Sequence, residues 1–219
     1  MKWQKTLDSA HDLYHRAGPD GNMVTGNHEE LFFVDSDTGA VKWKKTGTGL
    51  LNIPPSKTKS GNVVWGYENN KIKALDAKNG DEIWEYDVPM ESGWNPRTTH
   101  LNDGNLYICD TKKVLHSVNA ETGEKNWDFQ MNSRIDGSPA VTKEGALYVG
   151  QNSFETTNHR DLLVINTDNG EPLKDFRSIR RPTFTASKTN PEVLYLGDVK
   201  GNVRAIKSTR ISLKTEDVK

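Results

Sequence analysis

The chain of 219 residues has a single cysteine, Cys109, so no disulfide can form within it. That cysteine lies in the apolar run LYICD at 106 to 110 and reads as a buried, inert thiol. No uncharged apolar stretch is long enough to cross a bilayer as a helix. A basic block is missing too: 29 Lys and Arg stand against 30 Asp and Glu, a net charge of −1 that gives charge-driven binding to nucleic acid or to a membrane surface no footing. Neither HExxH nor a Cys-His cluster occurs, so no metal site is expected. Lys2, Lys5 and Asp8 arrive before any apolar segment, so no signal peptide is expected in this chain. That points to the cytoplasm by default, and to the periplasm or the exterior if a signal has been removed. Helical periodicity is absent throughout, and 33% hydrophobic residues imply a core of many small contacts.

A repeat is what the sequence does have. LFFVDSDTGAVKW (31 to 43), IKALDAKNGDEIW (72 to 84) and LHSVNAETGEKNW (115 to 127) superpose, and LLVINTDNGEPLK (162 to 174) is a weaker copy with Lys174 where the others have Trp. Gly39, Gly80, Gly123 and Gly170 fall 41, 43 and 47 residues apart. Each copy is an apolar strand, an Asx residue, a turn whose Gly accepts positive backbone angles, and a second strand carrying Trp43, Trp84 or Trp127. Upstream of each lies a further short strand, at 23 to 26, 63 to 67, 106 to 110, 147 to 151 and 194 to 198, and before those come segments rich in small residues such as DGSPAVT (136 to 142). Four short strands per unit of about 42 residues is the layout of a propeller blade. The string DSDTG at 35 to 39 is faintly like a calcium loop, but it lacks the terminal Glu and coincides with the turn of every other copy, so it reads as a turn.

These residues resemble the PQQ-like propeller repeat, the tryptophan-docking repeat of quinoprotein dehydrogenases and of the outer-membrane assembly lipoprotein, with DAKNGDEIW at 76 to 84 a close match. The resemblance implies that Trp43, Trp84 and Trp127 wedge between adjacent blades. The last unit, NVRAIKS (202 to 208), matches the third strand and then lacks both Gly and Trp, whereas KWQKTL at the N-terminus supplies Trp3 in the right place. The expected fold is therefore all-β: one five-bladed β-propeller domain of four-stranded antiparallel blades, with repeats at about 8–46, 47–89, 90–132, 133–178 and 179–208. It is closed by residues 2–7 joining the C-terminal blade, which removes an exposed edge. In the alternative, RISLKTED (210 to 217) is its own outer strand and the N-terminal strand pairs with another chain. A monomer is favoured.

Loops entering the innermost strands form one mouth of a propeller channel, where a ligand would sit. There the aligned column reads Asp12, Asn52, Asn95 and Asp136, broken by Pro182, and its neighbours are His11, His15, Trp94, Arg97, His100, Arg134, Arg180 and Arg181. Asx residues in such places cap their own turns, and loop Arg and His are usually solvated. If the side chains converge instead, they suit an acidic peptide or an anionic sugar through forked guanidinium bonds and stacking. His116 shares a column with Phe32, Lys73, Leu163 and Arg204 and is expected on a partly exposed strand face; His28 and His159 lie in polar loops.

Quinoproteins of the resembling group use a disulfide of neighbouring cysteines, which one Cys cannot supply, so no cofactor and no quinone-dependent dehydrogenase activity are expected. No catalytic constellation is visible either. The expected function is a non-catalytic scaffold that binds another protein through a propeller face. The alternative is a lectin-like or lyase-like site for a carbohydrate or small anion at the channel mouth.

Overall fold

A computed structural model of the chain describes residues 2–7, 14–26, 30–47, 55–67, 70–89, 97–99, 104–133, 135, 139–142, 145–151, 160–177, 183–186, 193–198 and 200–207. The described chain is built of antiparallel strands and one short 3-10 turn, Pro19–Gly21. The first sheet runs in order through β1 (Tyr14–Ala17), β2 (Met23–Gly26), β3 (Glu30–Val34) and β4 (Val41–Thr46). The second has the same order in β5 (Ser56–Lys57), β6 (Val63–Tyr67), β7 (Lys71–Leu75) and β8 (Glu82–Asp87). The third repeats it in β9 (Arg97–Thr99), β10 (Asn105–Cys109), β11 (Val114–Asn119) and β12 (Lys125–Gln130), the fourth in β13 (Ala140–Val141), β14 (Ala146–Gly150), β15 (Arg160–Asn166) and β16 (Pro172–Arg177). The fifth contains β17 (Thr183–Ala186), β18 (Val193–Gly197) and β19 (Val203–Lys207).

Each sheet is a meander of antiparallel neighbours in chain order, and in three of them a bulge next to the turn between the third and fourth strands raises the local twist: the register shifts at Phe33/Val34, Ala74/Leu75 and Val164/Ile165. Four strands cannot bury a core alone, so apolar residues gather between faces of consecutive sheets. Val24, Leu31, Phe33 and Trp43 of the first sheet meet Val63, Trp65 and Leu75 of the second. Val64, Ile72, Ala74 and Trp84 of the second meet Leu106, Ile108, Val118 and Ala120. Tyr148, Leu162 and Val164 of the fourth meet Leu194 and Leu196 of the fifth. The chain divides into two compact units, one of residues 1–112 with 118–125 and one of 113–117 with 126–219. The first holds the first two clusters and the second holds the last.

One expectation is met only in part. Residues 2–7 form no strand, and among the described residues the fifth sheet has three strands. A strand persists only beside a hydrogen-bonded neighbour; the segment is instead held through Trp3 and Lys2 to the turn of the first sheet. The alternative outer strand, 210 to 217, lies outside the described residues.

Candidate functional site

The turn between the third and fourth strands repeats almost atom for atom. An Asx residue opens it: the N–H groups of Asp35, Asp76, Asn119 and Asn166 donate to the carbonyls of Ala40, Asp81, Glu124 and Glu171 at 2.8–2.9 Å. Their side-chain Oδ1 atoms accept from the N–H two residues on, at 3.0, 2.7, 2.8 and 2.9 Å. Gly39, Gly80, Gly123 and Gly170 close the turn at φ of 75–76°, in the left-handed region that glycine adopts without a steric penalty. The calcium-like string at 35 to 39 is thus a turn. Hydrogen bonds from the N–H and hydroxyl of Thr38 and the N–H of Asp37 hold the Asp35 carboxyl below the usual carboxylate range.

Onto each turn comes an indole from the preceding repeat. Trp3 Nε1 donates to the Ser36 carbonyl at 2.8 Å, Trp43 to Ala77 at 2.8 Å, Trp84 to Ala120 at 3.1 Å and Trp127 to Thr167 at 2.8 Å. The ring lies flat enough on the glycine that a Cβ there would come within 2.7–2.9 Å of it, or of Lys45 in the case of Gly80. The same receiving residue reaches back into its own sheet: Ala120 N–H and Thr167 N–H donate at 2.9 Å to the carbonyls of Gly104 and Gly145, and the Ser36 hydroxyl donates to that of Gly21. Lys174, in register with Val164 as Trp84 is with Ala74, is exposed and lies over Phe176 with its Nζ 5.0 Å from the ring centroid.

A second column of turns goes unread in the sequence. Gly21, Gly61, Gly104 and Gly145, all at positive φ, close the hairpin between first and second strands, and Asn22, Asn62 and Asn105 follow the first three. On this edge of the first unit Pro19 and Asp20, the Lys57–Gly61 turn and Gly104 line a cleft of about 420 Å³. Its rim carries Lys57, Lys59 and Asp20. From the third sheet Glu121 reaches the same turn, where its carboxylate accepts from Ser60 N–H at 3.0 Å and from the Ser60 hydroxyl. Burial pushes the Glu121 carboxyl up, but hydrogen bonds from Ser60, Thr58 and Lys59 outweigh it and hold it below its ordinary range.

The residues predicted for the channel mouth are not brought together by anything described. Asp12, Asn52, Asn95, Asp136, His11, Trp94, His100, Arg134, Arg180 and Arg181 lie outside the described residues, as do His28 and His159. Arg97 opens β9, its backbone paired with Cys109, and His15 is exposed on β1. Cys109 is buried.

His116 is a correction. It is buried, 4% exposed, and its Nδ1 lies 2.7 Å from Asp128 Oδ1. The column varies because the residue facing it varies with it. Phe32 faces Lys44, whose Nζ is 5.3 Å from the ring centroid, and Lys73 faces Glu85 at 2.9 Å. Leu163 faces Asp175. In these copies a change of residue comes with a change of cross-strand partner, while Arg204 of the same column is exposed, with Asp198 Oδ2 3.4 Å from its guanidinium.

Comparison with known proteins gives the repeat its relatives. The outer membrane protein assembly factor BamB of Legionella pneumophila (strain Paris) is 28% identical over 166 residues, 69% of this chain and 39% of that protein. The quinoprotein alcohol dehydrogenase PedH of Pseudomonas putida is 25% identical over 184 residues, 68% of this chain and 29% of that protein. The chain thus spans well under half the length of these curated relatives. The crystal structure of BamB from Moraxella catarrhalis superposes with a TM-score of 0.50 at 18% identity, over 88% of this chain and 70% of that one, a likeness of fold. A family model matches residues 2–99 and again 68–210, which together cover nearly the whole repeat array, and the chain belongs to the family that this model describes, outer membrane protein assembly factor BamB.

Proposed function

We propose that the chain is a protein-binding scaffold of five propeller blades, that residues 2–7 are the outer strand of the fifth, and that the contact surface is the edge bearing the turns between first and second strands. The cleft on that edge carries the reading: three consecutive sheets contribute to it, and it presents two lysines, two hydroxyls and one acid on a backbone pinned by glycine turns. Rigid turns present side chains with little entropy to lose on binding. The relatives named as assembly factors support a partner that is a protein.

The test is a pull-down with tagged protein from the source proteome, repeated with the Lys57→Glu/Lys59→Glu double variant. A specific partner retained by the parent and lost at least tenfold in the variant is expected. Equal recovery by both moves the contact elsewhere. Recovery of no specific partner, with turnover of a small substrate, overturns the scaffold reading.

A further inference from the structure

The two lysines of the cleft are placed by the strand they leave. β5 ends at Lys57, and along an extended backbone side chains two residues apart share a face. Thr58 between them turns inward and is 4% exposed, while Lys57 and Lys59 are exposed. Both ammonium stems therefore rise on one side, rooted about 7 Å apart. Lys59 leans across toward the third sheet, where its Nζ lies 3.0 Å from the place a Cβ on Gly104 would take.

The charge facing the cleft is unbalanced. Among the described residues of its wall, Asp20 is the one acid set against the two lysines. Glu121 is not part of that wall: its carboxylate is turned onto Ser60 N–H at 3.0 Å and onto the Ser60 hydroxyl, with further hydrogen bonds from the Thr58 side chain and the Lys59 backbone. It steadies the turn without opposing the lysines from inside the cleft. The floor is bare backbone at Gly61 and Gly104, with φ of 91° and 95°. A Cβ on Gly61 would touch Pro19 Cβ at 3.4 Å, an ordinary contact, so there is room for a main chain to lie there. Two cations spaced like alternate residues of a strand match carboxylates spaced the same way on an extended partner.

We propose that the partner docks through an extended acidic segment, its carboxylates two residues apart against Lys57 and Lys59 and its main chain over Gly61 and Gly104. The proposal rests on the reading of this edge as the contact surface and gives that contact its chemistry. Glu121 acts as a positioning residue for the turn, and Asp20 opposes the segment and limits its affinity. Exposed ion pairs are individually weak and screened by salt, so the segment contributes selectivity and encounter rate more than tight binding.

The test titrates the isotope-labelled full chain at low salt with the peptide Gly-Ser-Glu-Ser-Glu-Ser-Gly, read by nuclear magnetic resonance. Saturable shifts at the amides of Lys57, Lys59, Gly61 and Gly104 are expected, fading toward about 1 M salt, where charges are screened within about 3 Å. The Lys57→Glu/Lys59→Glu variant should weaken binding at least about fivefold and, both side chains being exposed, keep close to the parent melting temperature. Asp20→Asn should tighten it about twofold, and asparagine accepts the left-handed φ of 52° at that position. The same peptide with Gln for Glu, and acetate at equal carboxylate concentration, should give no saturable shift. A Glu peptide that gives none overturns the proposal, as does one matched by the Gln peptide or by acetate. Binding that survives the lysine variant, or that Asp20→Asn weakens, overturns it too. If the pulled-down partner is nevertheless lost from the lysine variant in those cases, the contact edge stands and the acidic segment alone falls.

Discussion

Gly123→Ala and Gly21→Ala form a matched pair that isolates one contact. Both glycines hold positive φ, 75° and 70°, in turns of the first unit. A Cβ at position 21 meets nothing within 4 Å, whereas one at 123 would lie 2.7 Å from Trp84 Cδ2. The first substitution therefore costs only the left-handed backbone, about 1 kcal/mol once the stiffer unfolded chain is credited. The second adds overpacking against a ring already seated by its bond to Ala120, about 1–3 kcal/mol more. The difference should vanish in a Trp84→Leu background, where the indole that Cβ would strike is gone. Urea unfolding followed by far-ultraviolet circular dichroism measures all of these without relying on tryptophan emission. Equal costs for the two alanines, or a difference that survives the loss of Trp84, would refute the idea that the indole sits on the glycine for want of a Cβ.

Other outcomes follow from the same geometry. Trp127→Phe keeps most of the apolar contact but deletes the bond to the Thr167 carbonyl, so it should cost about 1–2 kcal/mol in urea titrations, against less than about 0.5 kcal/mol for the exposed Lys174→Ala. Asp128→Ala removes a partner of buried His116 and should cost about 1–3 kcal/mol, with Asp128→Asn closer to the parent. The carboxyls of Asp35, Glu121 and Asp198 are lowered in the folded chain, so the stability they contribute is present above their ordinary values near 3.8–4.5 and is lost as pH falls through the folded ones. Melting temperature followed from pH 6 to pH 2 should drop, with a shallower drop in Asp35→Asn and Glu121→Gln. Lys71 and Lys73 are raised, chiefly by hydrogen bonds to Glu85 and Glu82, so their contribution holds below 10.5 and disappears only at more alkaline pH. A melting temperature that rises between pH 6 and pH 2 would contradict the carboxylate contribution, and one that rises as pH is taken above 10.5 would contradict that of the lysines.

The hairpins can be read from the sequence because a left-handed turn writes Gly into each copy, and the strand after it carries Trp four residues later in three of the four, Lys174 being the exception. The turns at Gly21, Gly61, Gly104 and Gly145 obey the same rule, yet they pass unnoticed when alignment is anchored on tryptophan. His116 is misplaced by pattern alone, since diversity in a column looks like exposure until the facing residue is known, and that residue is set by register across the hairpin. Residues 2–7 show the limit of pattern: KWQKTL has the side chains of an outer strand, but being a strand depends on a neighbour that no stretch of six residues encodes. The inner segments are short, β5 and β13 having two residues each, and so carry little periodicity to place the side chains at the mouth.

The residue that receives each indole is serine, alanine, alanine and threonine in turn, at 36, 77, 120 and 167, and what it offers its neighbour is a peptide oxygen. Joints made from main-chain atoms place almost no demand on what is attached to them. Mutations can therefore accumulate over most of such a molecule while the order of its parts is preserved, and a protein that agrees with this chain at 18% of positions can still show a likeness of fold.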